Sequence, residues 1–156
     1  MVYVSWYAAN AYAHWKGKRL PMEAEWEYAA KAGQQTVEFP WGNASADTGK
    51  ANYVSSGHDG VIAVGKYQPN AFGIYDMAGN AAEFCLDTWR QDKYAKSANF
   101  KLERGNSAYD NNIAALRGGS WKSPAVDLRS TSRQGITKTN CSSLVGFRCA
   151  MSAPKK

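Results

Sequence analysis

The sequence predicts an α+β fold made of two helices, short antiparallel strands and long irregular loops. Two helix signals occur within residues 1–33, and the roughly forty residues that follow show no hydrophobic periodicity and are rich in Gly, Asn, Asp and Ser. Short apolar runs bounded by polar loops occupy most of the remaining chain. Because 156 residues suffice for one domain that buries roughly 70% of its unfolded surface, we expect a single domain over residues 1–156.

The first predicted helix runs from Trp6 to Lys16. Ser5 precedes it, and serine is a preferred N-cap because its hydroxyl accepts a hydrogen bond from a free backbone N–H of the first turn. Gly17 follows it and favours the left-handed conformation in which many helices end. Since Trp6, Ala9 and Ala13 share one face, we expect this face to contact the core.

The second predicted helix runs from Glu23 to Lys31, between Pro21 and Gly33. Its glutamates lie near the N-terminus and its lysine lies at the C-terminus, where each charge interacts favourably with the helix dipole. We expect these charges to stabilise the helix and assign them no role in catalysis.

Five short strands are predicted from runs of apolar and β-branched residues between polar loops. They cover residues 61–67, 82–89, 114–121, 127–131 and 144–151.

The net charge of +6 suggests an anionic partner, but the basic residues are dispersed and form no run of five. No nucleic-acid-binding motif is present, so we predict no nucleic-acid binding. No apolar run approaches the roughly 18 residues of a membrane span, and residues 1–13 do not resemble a signal peptide. These observations predict no membrane association and a cytoplasmic location by default.

Metal and nucleophile motifs are scarce. Cys85, Cys141 and Cys149 are odd in number and form no Cys-x-x-Cys spacing, so we interpret them as structural thiols. His14 and His58 stand alone, which does not suggest a zinc site. No serine lies in a Gly-x-Ser-x-Gly context, so a hydrolase triad is not supported.

Four ordered blocks spread over nearly the whole chain resemble the formylglycine-generating enzyme (sulfatase-modifying factor) superfamily. They are GKRLPMEAEWEYAA at 17–30, NAFGIYDMAGNAAEF at 70–84, LRGGSW at 116–121 and VGFRCA at 145–150. The resemblance implies a C-type-lectin-like fold. Members of the family usually carry a substantial segment before the block that here begins at Val4, so we expect a minimal or N-terminally truncated version of the domain.

The resemblance also implies two structural calcium sites made of oxygen ligands, which calcium prefers. In each site two side chains and two backbone carbonyls supply the oxygens. The first set is Asn52, Tyr53, Asp59 and Val61, and the second is Asp76, Gly79, Ala81 and Glu83. Without the resemblance, such Asp and Gly clusters are ordinary turn residues.

Copper is not expected. Copper(I) prefers soft thiolate ligands, and the oxidases of this family place two cysteines after the Gly-Gly-Ser motif. Ser123 and Leu128 occupy the corresponding positions, and neither contains sulfur. Ala82 stands where the family usually has tryptophan, and Ala13 stands where the disulfide partner of Cys149 would fall.

The stretch from Trp121 to Ser143 is rich in Ser, Thr, Asn, Lys and Arg, and in a lectin-like fold it would form part of an exposed ligand face. The same frame recurs in the variable proteins of diversity-generating retroelements, while an ordinary solvated loop is the alternative. The candidate ligand-binding residues are Trp121, Lys122, Ser123, Arg129, Ser132, Arg133, Thr137, Asn140 and Ser142.

Two classes of function are compatible with these patterns. The first is a calcium-stabilised binding or display module without oxidase activity, whose ligand is a protein, a peptide or a small molecule. The second is a modifying enzyme of the superfamily that acts on a sulfatase cysteine or a related thiol, for which Ser120, Ser123 and Cys141 are the candidate catalytic residues. A copper site made of Cys141 and Cys149 is conceivable, although their spacing does not support it.

Overall fold

The first helix, α1, spans Trp6–Trp15 in the computed structural model, which describes residues 1–91 and 112–152. The Ser5 hydroxyl accepts a hydrogen bond from the Ala8 N–H at 3.2 Å, as expected of an N-cap. Ala9 and Ala13 are fully buried, and the half-buried Trp6 packs against the same cluster. The predicted helix and its core-facing side are confirmed.

The second helix, α2, spans Glu23–Ala30, in agreement with the prediction. Trp26 and Ala30 are buried on its inner face. The Glu25 carboxylate accepts a hydrogen bond from the Met22 N–H at 2.9 Å, and this interaction helps to stabilise the N-terminus of the helix.

The sheet has four strands in the order β3-β2-β1-β4. They are β1 at Ala82–Thr88, β2 at Ile113–Arg117, β3 at Arg133–Thr137 and β4 at Val145–Gly146. The pairs β1–β2 and β2–β3 are antiparallel, whereas β4 is parallel to β1. The α+β class is therefore confirmed, with a mixed sheet in place of the purely antiparallel one that we expected.

The strand predicted at 61–67 is wrong, because this segment is a loop. Its backbone is satisfied by side chains from a later segment. The Ile62 N–H donates to Asn80 Oδ1 at 2.9 Å, and the Gly65 N–H donates to Asp76 Oδ2 at 2.7 Å. Gly65 also has a φ of 73°, which interrupts an extended conformation.

Three further strand predictions need correction. Residues 127–131 were expected to be extended, but a 3₁₀ turn at Ala125–Leu128 occupies the start of this segment, and the strand β3 follows it at Arg133–Thr137. Of the strand expected at 144–151, only Val145–Gly146 pairs as regular strand. The predicted strand at 114–121 ends at Arg117, because left-handed Gly118 and Gly119 follow.

The core consists of three apolar clusters arranged around the sheet. Successive residues of β1 alternate between two of them, since Phe84 belongs to the cluster of α1 and Cys85 to the cluster of α2. The third cluster lies under the long loops and contains Phe39, Ala51, Tyr53, Ala78 and Leu128. Within the described ranges, none of the helices has the length and apolar character that a bilayer span requires.

Candidate functional site

The Gly-Gly-Ser turn begins where β2 ends. Gly118 and Gly119 have φ values of 88° and 69°, and a Cβ on Gly118 would lie 3.0 Å from the Trp26 ring. The Gly118 carbonyl accepts a hydrogen bond from the Gly79 N–H at 2.8 Å. Tight packing and positive φ therefore require glycine at this turn, and the turn contacts the loop that follows Asp76.

The candidate catalytic residues Ser120 and Ser123 lie next to each other in this turn. Their hydroxyl oxygens are 3.2 Å apart, and the Ser123 hydroxyl accepts a hydrogen bond from the Ser120 N–H at 3.0 Å. The Ser120 hydroxyl accepts a further hydrogen bond from the Lys122 N–H at 3.3 Å. Both hydroxyls therefore stabilise the turn itself.

Leu128 has a purely structural position. Its side chain is fully buried in the loop cluster, and its Cδ2 lies 3.2 Å from where a Cβ on Gly119 would be. Position 128 thus contributes apolar packing beside the turn and offers no donor atom for a metal.

The three cysteines do not form a site. None is in a disulfide, and they range from exposed Cys141 through partly buried Cys149 to buried Cys85. Burial, followed by the negative charge of Glu23, raises the pKa of the Cys85 thiol well above its usual value, so Cys85 is a neutral thiol. Cys141 Sγ contacts the Thr139 carbonyl of its own loop at 3.7 Å.

The first predicted calcium loop contains a buried oxygen without a donor. Asn52 is fully buried, and its Nδ2 donates to the Gly60 carbonyl at 2.9 Å and to Asn80 Oδ1 at 3.2 Å. Because those two acceptors determine the amide orientation, Asn52 Oδ1 is left without a hydrogen-bond partner among the described residues. An unpaired buried amide oxygen is costly, so this atom suits a cation ligand.

The remaining members of the first set lie in the same neighbourhood. Tyr53 follows Asn52 directly, and Asp59 and Val61 flank Gly60, whose carbonyl holds the Asn52 amide. Asp59 is exposed, so its carboxylate is accessible from solvent. These residues fit the calcium ligand set that the resemblance implies.

The second predicted set is already well supplied with hydrogen bonds. Glu83 Oε2 accepts from Trp26 Nε1 at 2.6 Å and from Arg148 Nε at 2.5 Å, while Oε1 accepts from Arg148 Nη2 at 2.8 Å. Arg148 Nη2 also donates to the Asp76 carbonyl at 2.9 Å. One lone pair of Glu83 Oε1 thus stays available, and the second set fits calcium less well than the first.

The guanidinium of Arg148 neutralises one of the two carboxylates of this second set, that of Glu83. Burial by itself lowers the pKa of Arg148, but the charge of Glu83 and its hydrogen bonds raise the pKa above the usual value. Arg148 is therefore charged at all physiological pH values. The other two residues of the set, Gly79 and Ala81, lie between Asp76 and Glu83, as the motif requires.

The candidate ligand-binding residues differ in how accessible they are. Arg129 is exposed and pairs with Glu38 at 2.6 Å, whereas the Arg133 guanidinium donates to the fully buried Glu23 at 2.8 and 2.9 Å. Arg133 is therefore engaged within the fold. Lys122 and Thr137 are exposed, and the half-buried members are Trp121, Ser123, Ser132, Asn140 and Ser142.

A buried charge cluster was missed by the sequence reasoning. Arg117 is fully buried, and its Nη2 donates to Glu27 at 2.5 Å and to the Ser130 carbonyl at 2.7 Å. Burial raises the pKa of Glu27, but its hydrogen bonds to Lys31 and Arg117 outweigh this effect, so the pKa lies below its usual value. The glutamates of α2 were assigned to the helix dipole, yet Glu23 and Glu27 also hold the helix to the sheet.

A shallow cleft beside Asp76 of the second predicted calcium set was also missed. Its walls include Trp41, Lys50, Tyr67 and Asp76. Trp41 is held by stacking on Phe39, with ring centroids 5.1 Å apart. The residues of this cleft come from three separate loops, so no local motif marks it.

Comparison with known proteins identifies the family. The family model described as the sulfatase-modifying factor enzyme 1-like domain matches residues 1–153. The chain belongs to this family.

Two curated relatives illustrate the range of proteins that contain this domain. Serine/threonine-protein kinase pkn1 of Chlamydia pneumoniae is 41% identical over 150 residues, covering 96% of this chain and 23% of that protein. The formylglycine-generating enzyme of Streptomyces coelicolor is 35% identical over 168 residues, covering 98% of this chain and 52% of the enzyme. The chain thus spans from about a quarter to about half of these relatives.

Solved structures of this family show the same fold. PvdO from Pseudomonas aeruginosa superimposes with a TM-score of 0.76 at 30% identity, covering 94% of this chain and 59% of PvdO. Treponema denticola variable protein 1 superimposes with a TM-score of 0.66 at 33% identity, covering 83% of this chain and 46% of that protein. The C-type-lectin-like architecture of the variable proteins is therefore also the architecture of this chain.

Proposed function

We propose that this chain is a calcium-stabilised ligand-binding or display domain of the sulfatase-modifying factor family, without copper-dependent oxidase activity. One observation carries the proposal: the two positions expected to hold the thiolates contain a turn-stabilising serine and a buried leucine. Hydroxyl and methyl groups do not replace soft sulfur ligands for copper(I). Ser123 stabilises the turn and Leu128 packs in a buried cluster, so both positions have a structural role in this fold.

The loop after the Gly-Gly-Ser turn supports a binding role. Lys122 and Arg129 are exposed, and Trp121 is tied to the scaffold because its Nε1 donates to the Ser143 carbonyl at 3.2 Å. A half-buried tryptophan flanked by exposed polar side chains is typical of a recognition surface. The similarity to a variable protein supports the same role, because that protein has the same fold.

The test of recognition uses Trp121→Ala and a screen of peptide and small-molecule arrays. We expect Trp121→Ala to weaken capture of any selected ligand by about tenfold or more, with little change in melting temperature. Trp41→Ala, which alters a tryptophan in a different loop, is the matched control. A ligand that binds both variants equally would contradict this placement of the ligand face.

Calcium is proposed as a structural ion, held in the first loop by the oxygens of Asn52, Tyr53, Asp59 and Val61. The buried, unpaired Asn52 Oδ1 supports this assignment. A bound ion would neutralise the Asp59 carboxylate and connect two irregular segments of the long loop. The second set, with Asp76 and Glu83, is proposed as a weaker site because Arg148 already compensates one of its carboxylates.

Scanning calorimetry with calcium and with chelator tests the metal proposal. We expect calcium to raise the melting temperature of the wild type and to have a smaller effect on Asp59→Asn, whose side chain has the same size but no charge. Asp47→Asn, in an exposed turn outside both sets, should keep the full calcium effect. Glu83→Gln is expected to lower the melting temperature even without calcium, because it also breaks the pair with Arg148.

An oxidoreductase that modifies a sulfatase cysteine is the alternative, and the 35% identity to a formylglycine-generating enzyme favours it. Ser120, Ser123 and Cys141 would then act on a thiol substrate. Oxygen consumption with copper and a cysteine-containing sulfatase peptide separates the two proposals, and we expect none for the wild type. Ser123→Cys combined with Leu128→Cys, checked for folding by circular dichroism, provides a copper-binding comparison. Turnover by the wild type would overturn the binding proposal.

A further inference from the structure

The exposed side of α1 carries large aromatic residues. Tyr7 is 51% exposed and Trp15 is 73% exposed. Tyr7, Ala11 and Trp15 are spaced four residues apart, so they share one side of the helix. This side is opposite to the one that buries Ala9 and Ala13. Tyr12 is also exposed and contacts Trp15, with ring centroids 5.8 Å apart.

Two lysines accompany these rings. Lys16 Nζ lies 4.0 Å from the centroid of the Trp15 ring, and Lys18 is exposed just beyond the end of the helix. Within residues 1–91 and 112–152, no carboxylate is in ion-pairing distance of either lysine. We call the surface formed by Tyr7, Tyr12, Trp15, Lys16 and Lys18 the aromatic-lysine face.

The surroundings of this face are depleted in acidic residues. Residues 1–22 and 128–152 contain no Asp or Glu, whereas they contain Lys16, Lys18, Arg19, Arg129, Arg133, Lys138 and Arg148. These two segments pack together, since the Tyr12 and Phe147 rings are 5.6 Å apart and Arg19 forms a β-bridge with Ala150. The four arginines pair with glutamates of other segments, namely Glu25, Glu38, Glu23 and Glu83, so the positive charge beside the exposed rings comes from Lys16 and Lys18.

The chemistry of this face is that of a protein interface. Tyrosine and tryptophan are enriched where proteins bind one another, and tyrosine hydroxyls add hydrogen bonds to apolar contact. Lysines at the rim of an interface attract a partner of opposite charge. A helix that lies on a membrane keeps its apolar stripe free for lipid, but here the apolar stripe of α1, Ala9 and Ala13, is buried in the core. Arg19, which follows Lys18 at the edge of this face, forms an ion pair with Glu25 at 2.6 Å, so its guanidinium is not positioned to bind nucleic-acid phosphates.

We infer that the aromatic-lysine face is a docking surface for an acidic polypeptide that carries aromatic or aliphatic residues among its carboxylates. The rings of Tyr7 and Trp15 provide the apolar contact, and Lys16 and Lys18 attract the carboxylates. The five residues of this face are neither candidate ligand-binding residues nor predicted calcium ligands, so the inference does not depend on the proposed function.

Fluorescence anisotropy with a fluorescein-labelled random copolymer of glutamate and tyrosine tests this inference on the full chain. We expect saturable binding that weakens as salt is raised, with pure polyglutamate binding more weakly and a copolymer of lysine and tyrosine not binding. Trp15→Ser and Tyr7→Ser should each weaken binding by about tenfold or more, and Lys16→Glu with Lys18→Glu should abolish it.

Matched control variants distinguish binding at the aromatic-lysine face from nonspecific binding elsewhere on the protein. Tyr28→Ser changes a tyrosine on α2 that is 62% exposed, and Lys66→Glu changes an exposed lysine in a distant loop, so both should bind as the wild type does. All of these side chains are exposed, and circular dichroism confirms that each variant folds.

Four results would overturn the inference. The first is that the α1 variants and the controls bind the copolymer equally, and the second is that polyglutamate binds as tightly as the glutamate-tyrosine copolymer. The third is that the protein prefers phosphatidylserine vesicles or duplex DNA and needs Trp15 to bind them. The fourth is that the protein self-associates in sedimentation experiments and that Trp15→Ser abolishes this self-association. The last two would assign the face to lipid, nucleic acid or a second copy of this chain.

Discussion

Replacement of Gly79 by alanine should destabilise the protein strongly, because this residue lies where the two oxygen-rich loops touch. Gly79 has a φ of 72°, and a Cβ added to it would lie 2.3 Å from the Asn52 carbonyl oxygen and 3.0 Å from the carbonyl carbon. These atoms belong to backbone that is held in place by the hydrogen bond from Asn80 N to Asn52 O at 2.7 Å. The contact therefore cannot be relieved by a side-chain rotation.

The magnitude follows from two contributions. A non-glycine residue in the left-handed region costs about 1–2 kcal/mol, and forced overpacking against a rigid neighbour costs about 1–3 kcal/mol. We therefore expect Gly79→Ala to lower the free energy of unfolding by about 2–5 kcal/mol. For a chain of this length, each kcal/mol lowers the melting temperature by about 2–4 °C.

Gly57 offers a matched control. It has the same φ of 72°, but nothing lies within 4 Å of a Cβ at this position. Gly57→Ala should thus cost only the backbone contribution of about 1–2 kcal/mol. Urea unfolding of both variants, followed by tryptophan fluorescence in the presence of chelator, measures the difference. Equal losses for the two variants would refute the close approach between Gly79 and Asn52.

Three further outcomes follow from the buried groups. Glu23→Ala should lower the free energy of unfolding by about 3–5 kcal/mol, because it removes the buried carboxylate that the Arg133 guanidinium binds. Urea unfolding at neutral pH measures this loss, and a loss below about 1 kcal/mol would contradict the prediction. Because the pKa of Glu27 is lowered in the folded protein, its ion pairs stabilise the fold above the ordinary glutamate pKa, and this stabilisation is lost as the pH falls through the folded pKa. Glu27→Gln should therefore flatten the acid side of a curve of unfolding free energy against pH. Parallel curves for the wild type and the variant would argue against the pairing. A thiol reagent should label exposed Cys141 rapidly in the native protein, but it should label Cys85 only after unfolding. Peptide mass spectrometry measures the labelling of each cysteine. Rapid labelling of Cys85 in the native protein would disprove its burial.

The helices were predictable because their signals are local. Ser5 and Gly17 mark the ends of α1 within a dozen residues, and the alanines at 9 and 13 face the core as their spacing requires. The family motifs also depend on consecutive residues, and the family match confirmed them.

Strand β3 was not predictable from its own residues. Its sequence, Arg133 to Thr137, is mostly polar and contains Gly135, which normally argues against a strand. It becomes a strand because β2 offers a complete antiparallel partner, and because Gly135 accommodates the Trp89 ring, which would lie 2.5 Å from an added Cβ. Both causes lie far away in the chain.

The candidate ligand face also shows that local sequence does not reveal which side chains are engaged within the fold. Arg133 looked like a ligand-facing residue because it stands among polar residues, yet its guanidinium binds Glu23, which is 110 residues distant. Arg129, four residues earlier, is exposed. Nothing in the local sequence distinguishes these two arginines, since the difference arises from which distant glutamate each one pairs with: buried Glu23 for Arg133 and exposed Glu38 for Arg129.

By itself the sequence determined the two helices, the family and the lack of sulfur at positions 123 and 128, because each of these depends on residue identity or on neighbours within a few positions. Only the tertiary structure decided that Glu23 and Arg117 are buried together, that Asn52 Oδ1 has no hydrogen-bond partner among the described residues, and that residues 1–22 pack against residues 128–152. The physical reason is that burial and charge pairing depend on contacts between distant segments, which form only when the chain folds.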